Sequence, residues 1–309
     1  MRGVDKIAFA TSVLGAGHIR DKKPCQDYSI AWQSKDSGSV VLIVCDGHGS
    51  DTYVRSDVGS RLAAQITLEA VKEFVPRKGH TPNPEWIVGQ KGQVQAHEQV
   101  DYGTGEGKVF EALFETIYRT WLDAIEQDAQ KNPFTEEETK RLRGKKLVKA
   151  YGTTLMAYVQ TPDYWFAFQI GDGRMLAADQ DLQWRQLVPW DETCFLNQTT
   201  SLCNTNPLPL FRYAFDGTGE FPSTVFCCSD GIEDSWGDYE VAPQMLHDYF
   251  TGLTKVFIKE GRNATLDRLS GFLPKLSAAA SKDDMSIAGY INKKAIRLEE
   301  MKQRVCRIY

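Results

Sequence analysis

The order of predicted strands and helices places this sequence in the α+β fold class. An unbroken apolar run at Val40–Cys45 is typical of a strand that is covered on both faces. Apolar residues recur at helical spacing in Asp51–Val75 and Lys108–Gln130, and several short apolar segments with polar links occupy residues 152–187. Because strands and helices come in separate groups, we expect layers of sheet and helix.

The N-terminal quarter is predicted to contain three strands and one helix. Lys6–Leu14 is the first strand, and a polar loop follows it. Tyr28–Trp32 and Val40–Cys45 are predicted to pair as the second and third strands. The helix spans Asp51–Val75, and Pro76 ends it because proline cannot continue a helix.

Residues 78–149 are predicted to form an insertion of loops and helices. Lys78–Glu106 is rich in proline and glycine and is interpreted as loop. Lys108–Gln130 is a helix, and Thr135 followed by three glutamates predicts the capped start of another. The basic run from Lys140 to Lys149 is interpreted as a helix end with a solvated face, in preference to a docking surface for an acidic partner.

The second half is predicted to hold a strand meander, two helices and a last strand. The segments Gly152–Gln160, Tyr164–Ile170, Arg174–Ala178 and Gln183–Leu187 are expected to form one antiparallel meander. Pro189–Gly219 is expected to be irregular, with a short strand. The remaining segments are a strand at Thr224–Cys228, helices at Tyr239–Lys259 and Asn263–Ala280, a strand at Asp284–Ile291 and a terminal helix at Lys293–Arg307.

The composition is that of an ordinary soluble protein. The chain has 309 residues, a net charge of −5 and 42% hydrophobic residues, which gives no indication of nucleic-acid binding. No apolar run approaches the roughly 20 residues that a membrane helix needs. The seven cysteines include no Cys-x-x-Cys pair, which favours reduced thiols over disulfides or zinc. We therefore expect a cytoplasmic protein without nucleic-acid or membrane partners.

Acidic residues stand at the ends of four predicted strands. They are Asp46, Asp172, Asp230 and the pair Asp283-Asp284. An acid at the end of an apolar strand needs a countercharge, because its desolvation is costly. Although Asp-Gly alone is typical of a turn, this recurrence predicts one acidic cluster at one edge of the β-structure, with a bound cation as the simplest countercharge.

Six short motifs stand in the order found in one enzyme family. They are Gln26-Asp27, Asp46-Gly47-His48-Gly49, Gly152-Thr153-Thr154, Gly171-Asp172-Gly173-Arg174, Ser229-Asp230-Gly231 and Lys282-Asp283-Asp284-Met285-Ser286. From about Ile7 to Ile291 the chain resembles the type 2C (PPM) metal-dependent protein Ser/Thr phosphatases, in their bacterial single-domain form. The resemblance implies a four-layer α-β-β-α sandwich of two mainly antiparallel sheets. We expect a single such domain over residues 1–309, with the insertion at about 78–149.

The resemblance also implies a site for two Mg²⁺ or Mn²⁺ ions. In the family pattern Asp46 bridges the ions, the Gly47 carbonyl binds the second, and Asp230 and Asp283 bind the first. Oxygen ligands without a matching His or Cys set favour these metals over zinc. Asp234 matches an acid that often contacts a third, weaker ion.

Two departures from the family pattern affect the metals. Gln26 stands where many relatives have a glutamate ligand, so the second ion is expected to bind more weakly or through water. Lys149 and Ala150 stand where many relatives have an acid before Gly-Thr-Thr, so the third site is expected to be weak or missing. Lys149 is either a fixed positive charge facing the substrate phosphate or a solvent-facing member of the basic run.

The remaining roles also follow from the resemblance. His48 is the predicted acid for the leaving group, and Asp27 is predicted to bind metal waters. The candidates for phosphate binding are Arg20, Lys22 and His18, in that order. Gly171-Asp172-Gly173-Arg174 and Gly152-Thr153-Thr154 are interpreted as structural supports.

The predicted function is metal-dependent hydrolysis of phosphoserine and phosphothreonine in proteins, by attack of a water held between two metals. The expected partners are a phosphoprotein substrate and an opposing Ser/Thr kinase. Two alternatives stay open, a non-catalytic regulatory module of the same fold and a hydrolase of small phosphoesters. The intact acidic motifs favour an enzyme over the regulatory module.

Overall fold

A computed structural model describes residues 5–35, 37–75, 87–94, 105–194 and 198–297. Within these ranges the strands are β1 (Lys6–Val13), β2 (Tyr28–Gln33), β3 (Val40–Cys45), β4 (Lys91–Val94), β5 (Leu155–Gln160), β6 (Trp165–Ile170), β7 (Arg174–Ala178), β8 (Trp184–Gln186), β9 (Arg212–Asp216), β10 (Thr224–Cys228) and β11 (Met285–Asn292). The helices are α1 (Ala16–Asp21), α2 (Ser56–Phe74), α3 (Gly105–Lys131), α4 (Glu136–Leu142), α5 (Asp230–Glu233), α6 (Pro243–Glu260) and α7 (Arg262–Ala279).

The strands form two antiparallel sheets. The five-stranded sheet has the order β1-β11-β10-β7-β8, and the six-stranded sheet has the order β2-β3-β5-β6-β9-β4. β3 lies between β2 and β5, with Ile43 opposite Ile30 on one side and Ala157 on the other. A strand that is paired on both edges and covered on both faces reads as a continuous apolar run, which explains the sequence of β3.

Three groups of buried apolar residues define four layers. In β3, Val41, Ile43 and Cys45 belong to the group that packs against helices α2 and α3. Val40, Leu42 and Val44 belong to the group between the two sheets. A third group joins the five-stranded sheet to helices α6 and α7. The structure therefore has the helix-sheet-sheet-helix order of the predicted four-layer α+β sandwich.

The predicted meander is wrong in one respect, because its four strands belong to two sheets. β5 pairs with β6 in one sheet and β7 pairs with β8 in the other. The chain crosses between the sheets at Gly171-Asp172-Gly173, where Gly171 has a φ of +117° that favours glycine. Local patterning shows where strands begin and end, but it does not show which sheet each strand joins.

Three other segments differ from the sequence prediction. The polar loop after β1 contains the short helix α1, and residues 91–94 of the predicted loop form β4, which pairs with β9. The predicted terminal helix is wrong at its start, which is a short 3₁₀ turn at Lys293–Ala295 followed by the extended Ile296. Residues 298–307 of that predicted helix lie outside the described residues, as does most of the predicted loop between residues 78 and 106.

A buried arginine fastens the described part of the insertion to the rest of the fold. Arg55, before α2, donates hydrogen bonds to Glu138 (2.8 Å), to the carbonyl of Asn132 (2.6 Å) and to the hydroxyl of Tyr151 (3.1 Å). Its guanidinium also lies 3.9 Å from the centre of the Phe134 ring. The hydrogen bond from Arg55 lowers the pKa of Glu138 to about 2. The helices α3 and α4 are thereby joined to the turn that ends at Tyr151.

The helical Gly59 is predicted to be intolerant of substitution, because an added Cβ would overlap the backbone carbonyl of Tyr151. We expect Gly59→Ala to lower the free energy of unfolding by about 1–3 kcal/mol, as overpacked interiors typically do. Gly252 in α6 has nothing within 4 Å of the same position, so Gly252→Ala should be neutral or stabilising by up to about 1 kcal/mol. Denaturant unfolding of both variants tests this, and equal effects would contradict the close contact.

Candidate active site

Acidic side chains from four separate strand ends face one cavity of about 730 Å³. Asp46 follows β3, Asp172 follows β6, Asp230 follows β10 and Asp283 precedes β11; Asp234, one turn beyond Asp230, also lines the cavity. These residues are far apart in sequence, and the antiparallel order of the two sheets brings their strand ends to one edge of the sandwich. The structure thus contains the acidic cluster that the sequence predicts.

The turn that carries Asp46 is fixed by the Gly-Thr-Thr segment. The backbone N–H of Asp46 donates to the hydroxyl of Thr154 (3.0 Å), and the N–H of Thr154 donates to the carbonyl of Asp46 (2.8 Å). The Thr153 hydroxyl also donates to the Asp46 carbonyl (2.9 Å). Gly47 pairs with Thr153 as an isolated bridge. The interpretation of Gly152-Thr153-Thr154 as a structural support fits these contacts.

Burial disfavours the charged form of the carboxyl groups in the cavity. Burial raises the pKa of Asp230 to about 8, with a further contribution from the charge of Asp172. Burial also raises the pKa of Asp46 well above its usual range, assisted by the charges of Asp27 and Asp230. Deeply buried carboxylates that raise one another's pKa values need a proton or another cation to balance their charge.

The donor set fits hard divalent cations. The charged acids supply only oxygen ligands, and two further buried oxygens, Gln26 Oε1 and Asp27 Oδ2, have no hydrogen-bond partner within the described chain. Orphaned buried oxygens beside a carboxylate cluster are what a cation or its bound waters would satisfy. Among the described residues, no three His, Cys, Asp or Glu side chains already converge as a complete metal site, so ion binding would have to draw the carboxylates together.

Asp27 lies behind the cavity rather than in its wall. It is only 5% exposed, and burial together with the charges of Asp284 and Asp230 raises its pKa well above the usual range. A hydrogen bond from Ser229 opposes that shift. The position beneath the other acids suits the predicted role in binding metal waters, which stays a prediction.

His48 lines the cavity as a neutral imidazole. Its ring packs against the Tyr53 ring at 4.6 Å between centroids, and its backbone N–H donates to the carbonyl of Gly152 (3.1 Å). Burial, assisted by the charge of Lys149, lowers the pKa of His48 to about 4. The imidazole therefore lacks the acidic proton of the imidazolium form at neutral pH until another negative charge enters the cavity.

None of the three predicted phosphate-binding residues lines the cavity among the described residues. Arg20 is 76% exposed and pairs with Asp21 at 2.7 Å. His18 Nδ1 lies 2.9 Å from Asp284, and this hydrogen bond raises the pKa of His18. Lys22 adopts a left-handed conformation at the exposed end of α1. Phosphate binding by these residues stays a prediction.

Two residues of the cavity wall have positions that the sequence does not predict. The sequence favours a structural role for Asp172, but the corner between β6 and β7 directs it into the cavity. The sequence leaves open whether Lys149 faces the cavity or the solvent, and the residue lies in the cavity wall. In the sequence, Asp172 could be found from its place at an acidic strand end. Lys149 could be found only because it stands where many members of the family have an acid.

The position of Asp172 bears on the third ion. A weak or missing third site is predicted because no acid precedes Gly-Thr-Thr and because Lys149 supplies a positive charge nearby. In the structure Asp172 supplies a carboxylate from another strand end, and its charge raises the pKa values of Asp230 and Asp234 after the larger effect of burial. The cavity therefore offers one more carboxylate than the sequence pattern indicates, with Lys149 in the same wall, and a weak or missing third site stays a prediction.

The chain belongs to the protein phosphatase 2C family, because the model of that family matches residues 14–271. As a member of this family it is a phosphoprotein phosphatase. The family itself is metal-dependent. No curated protein sequence matches the chain significantly.

Solved bacterial structures share the fold at low sequence identity. The Ser/Thr phosphatase of Staphylococcus aureus is 14% identical with a TM-score of 0.54, and the match covers 94% of this chain and 96% of that one. PppA of Pseudomonas aeruginosa, described as a key regulatory component of T6SS, is 14% identical with a TM-score of 0.53 over 93% and 97% of the two chains. The Ser/Thr phosphatase PstP/Ppp of Mycobacterium tuberculosis is 14% identical with a TM-score of 0.50 over 93% and 98%.

Stability in the presence of a chelator is predicted to fall as the pH rises from about 5 to 8. Asp230 has a pKa of about 8 in the fold against an ordinary value of 3.8, so across this window the folded state holds a proton that the unfolded state has lost. Each such carboxyl can cost up to about 1.4 kcal/mol per pH unit. Melting temperatures of the chelated protein across this range test the sign.

The matched variant for that measurement is Asp230→Asn, which removes the titrating group and should flatten the fall. Added Mn²⁺ should stabilise the unsubstituted protein increasingly as the pH rises, because metal binding requires ionised carboxylates. A chelated protein that grows more stable from pH 5 to 8, with an identical profile for the variant, would contradict the assignment.

Proposed function

We propose that this protein is a metal-dependent Ser/Thr phosphatase that hydrolyses phosphoserine and phosphothreonine in proteins. The observation that supports it most directly is that Asp46, Asp172, Asp230 and Asp283 all line one cavity. Carboxylates in that number, with raised pKa values, form a site for multivalent cations. The family membership supplies the reaction class.

The chain offers a defined set of residues to two Mg²⁺ or Mn²⁺ ions. Asp46 would bridge them, the carbonyl of Gly47 would serve the second, and Asp230 and Asp283 would serve the first. When bound, such a pair of ions supplies Lewis-acid activation of water for in-line attack on phosphorus. Asp27 would orient the waters from beneath, where its Oδ2 has no other partner in the described chain.

His48 is proposed to protonate the departing Ser or Thr oxygen. At neutral pH burial holds its imidazole neutral, so it must take up a proton when the negatively charged phosphate enters the cavity. A phosphate dianion beside the ring would favour the imidazolium form, because an opposite charge within a few ångströms raises the pKa of a histidine. The proton would then pass from the ring to the leaving alkoxide.

The chemistry proposed here needs no nucleophilic side chain. Burial raises the pKa values of the thiols of Cys45, Cys227 and Cys228, so these cysteines are unsuited to attack on phosphorus. The sequence also lacks arginine six residues after any cysteine, which is the spacing of phosphatases that use a cysteine nucleophile.

Among the described residues, no helix combines the length and apolar character that a membrane crossing requires. The opposing kinase and the cytoplasmic location remain part of this proposal.

Asp46→Asn is predicted to be the most damaging single substitution at the site, because a bridging ligand serves both ions. We expect hydrolysis of a phosphothreonine peptide to fall by more than about 100-fold at saturating Mn²⁺, beyond the loss typical of residues that only support a ligand. Chelation of the unsubstituted protein should abolish turnover. Asp267→Asn in α7 serves as a distant control, and undiminished turnover by Asp46→Asn would exclude the bridging role.

The substrate class is tested by comparing phosphoserine and phosphothreonine peptides with phosphotyrosine peptides, nucleotides and para-nitrophenyl phosphate. We expect kcat/KM to be highest for the phosphoserine and phosphothreonine peptides. A preference for nucleotides would favour the alternative of a small-phosphoester hydrolase. Absence of turnover on every substrate with Mg²⁺ and with Mn²⁺ would favour a non-catalytic module.

A further inference from the structure

Lys149 is the one Lys or Arg side chain among the described residues that line the acidic cavity. The rest of the wall consists of carboxylates, hydroxyls, amides, a thiol, the imidazole of His48 and backbone. A phosphomonoester entering such a cavity meets several negative charges and needs positive charge to balance them. Bound metal ions supply part of it, and Lys149 is the protein's own cation on the wall.

The backbone that carries Lys149 is held rigidly beside the Asp46 turn. Lys149 belongs to the 3₁₀ turn Leu147–Tyr151. The N–H of Arg55 donates to the carbonyl of Ala150 (2.8 Å), and the N–H of His48 donates to the carbonyl of Gly152 (3.1 Å). Because these hydrogen bonds fix the residues directly after Lys149, they restrict the position of the lysine backbone relative to the Asp46 turn.

The ammonium group has a weak partner within the described chain. Lys149 Nζ donates to the thiol of Cys203 at 3.6 Å, and a thiol is a weak acceptor for an ammonium with three donors. After burial, the charge of Lys149 is the second cause of the lowered pKa of His48, which places the ammonium within electrostatic reach of that ring. A phosphate oxygen between them would accept a much stronger, charge-assisted hydrogen bond.

The other basic groups near the site are occupied or turned away. His18 is bonded to Asp284, and Arg20 is paired with Asp21. Lys23 donates to the carbonyl of Gly49 at 2.8 Å, at the rim of the cavity. None of these three is part of the wall among the described residues.

We infer that Lys149 binds a non-bridging oxygen of the substrate phosphoryl group, in place of a base from the loop that follows β1. This inference rests on the proposed function, since it assigns a residue to phosphate recognition at the same site. Lys149 then anchors the phosphate opposite the carboxylates. Its neighbours Lys145 and Lys146 in the basic run stay outside the cavity wall.

The test uses three variants of the full chain with Mg²⁺ present. Lys149→Met keeps the length of the side chain and removes its charge, Lys149→Arg keeps the charge, and Lys146→Met is the matched control at an exposed position of the same basic run. Calorimetry measures binding of inorganic phosphate and, separately, of Mg²⁺. Steady-state kinetics gives KM and kcat for a phosphothreonine peptide.

Loss of one charge-assisted hydrogen bond should weaken phosphate binding by Lys149→Met by about 10- to 100-fold. KM for the peptide should rise to a similar degree, while Mg²⁺ affinity stays equal or increases. Lys149→Arg should recover much of the phosphate affinity, and Lys146→Met should match the unsubstituted protein. Unchanged phosphate affinity in Lys149→Met, or a loss shared equally by Lys146→Met, would overturn the inference.

The outcome separates this inference from the proposed function. An unsubstituted protein that hydrolyses phosphopeptides, with Lys149→Met unchanged in phosphate affinity, leaves the phosphatase intact and removes Lys149 from its site. An unsubstituted protein that binds phosphate through Lys149 but shows no metal-dependent turnover supports the assignment of Lys149 and contradicts the proposed catalysis. An unsubstituted protein that binds no phosphate overturns the assignment of Lys149.

Discussion

The mutual repulsion of buried carboxylates is the constraint on which this structure depends. Burial raises the pKa values of Asp46 and Asp230, and the charges of neighbouring carboxylates raise them further. Such an arrangement costs stability unless a proton or a metal ion occupies it. A fold that brings several acids together at this cost is suited to binding a cation, so the repulsion among these carboxylates also marks the site.

Hydrogen bonds from the surrounding backbone help to hold the acidic residues in place against this repulsion. Asp284 accepts hydrogen bonds from the backbone N–H groups of Gly15 and Gln26 (2.6 Å each) and from His18 (2.9 Å). Burial alone would raise its pKa, but these hydrogen bonds outweigh burial and hold the pKa below its ordinary value. Asp284 is therefore a satisfied structural anion that joins the first loop to β11. Its neighbour Asp283 faces the cavity, and burial raises its pKa.

The adjacent acids Asp283 and Asp284 thus differ in role because their partners differ. Asp284 accepts hydrogen bonds from two backbone N–H groups and an imidazole, and it therefore fixes structure. Asp283 accepts the backbone N–H of Asp284 (2.8 Å) and faces the cavity, where its remaining lone pairs are available to a ligand. The same reasoning separates the basic residues. His18 is bonded to Asp284 and Arg20 to Asp21, while Lys149 has a thiol partner and lines the same cavity as the acids.

The sequence by itself determined the strands, the long helices, the acidic strand ends and the family, because periodicity and short motifs are local properties. It also predicted the pairing of β2 with β3 and the capped start of α4, where Thr135 and Glu138 bond reciprocally. Only the tertiary structure decided that the chain changes sheets at Gly171-Asp172-Gly173, which turns Asp172 from a turn residue into part of the cavity. Likewise, only the tertiary structure decided that Lys149 lines the cavity although it belongs to an exposed basic run, because hydrogen bonds from Arg55 and His48 fix the turn that carries it. The direction of a side chain depends on contacts between distant segments, and no local pattern in the sequence encodes them.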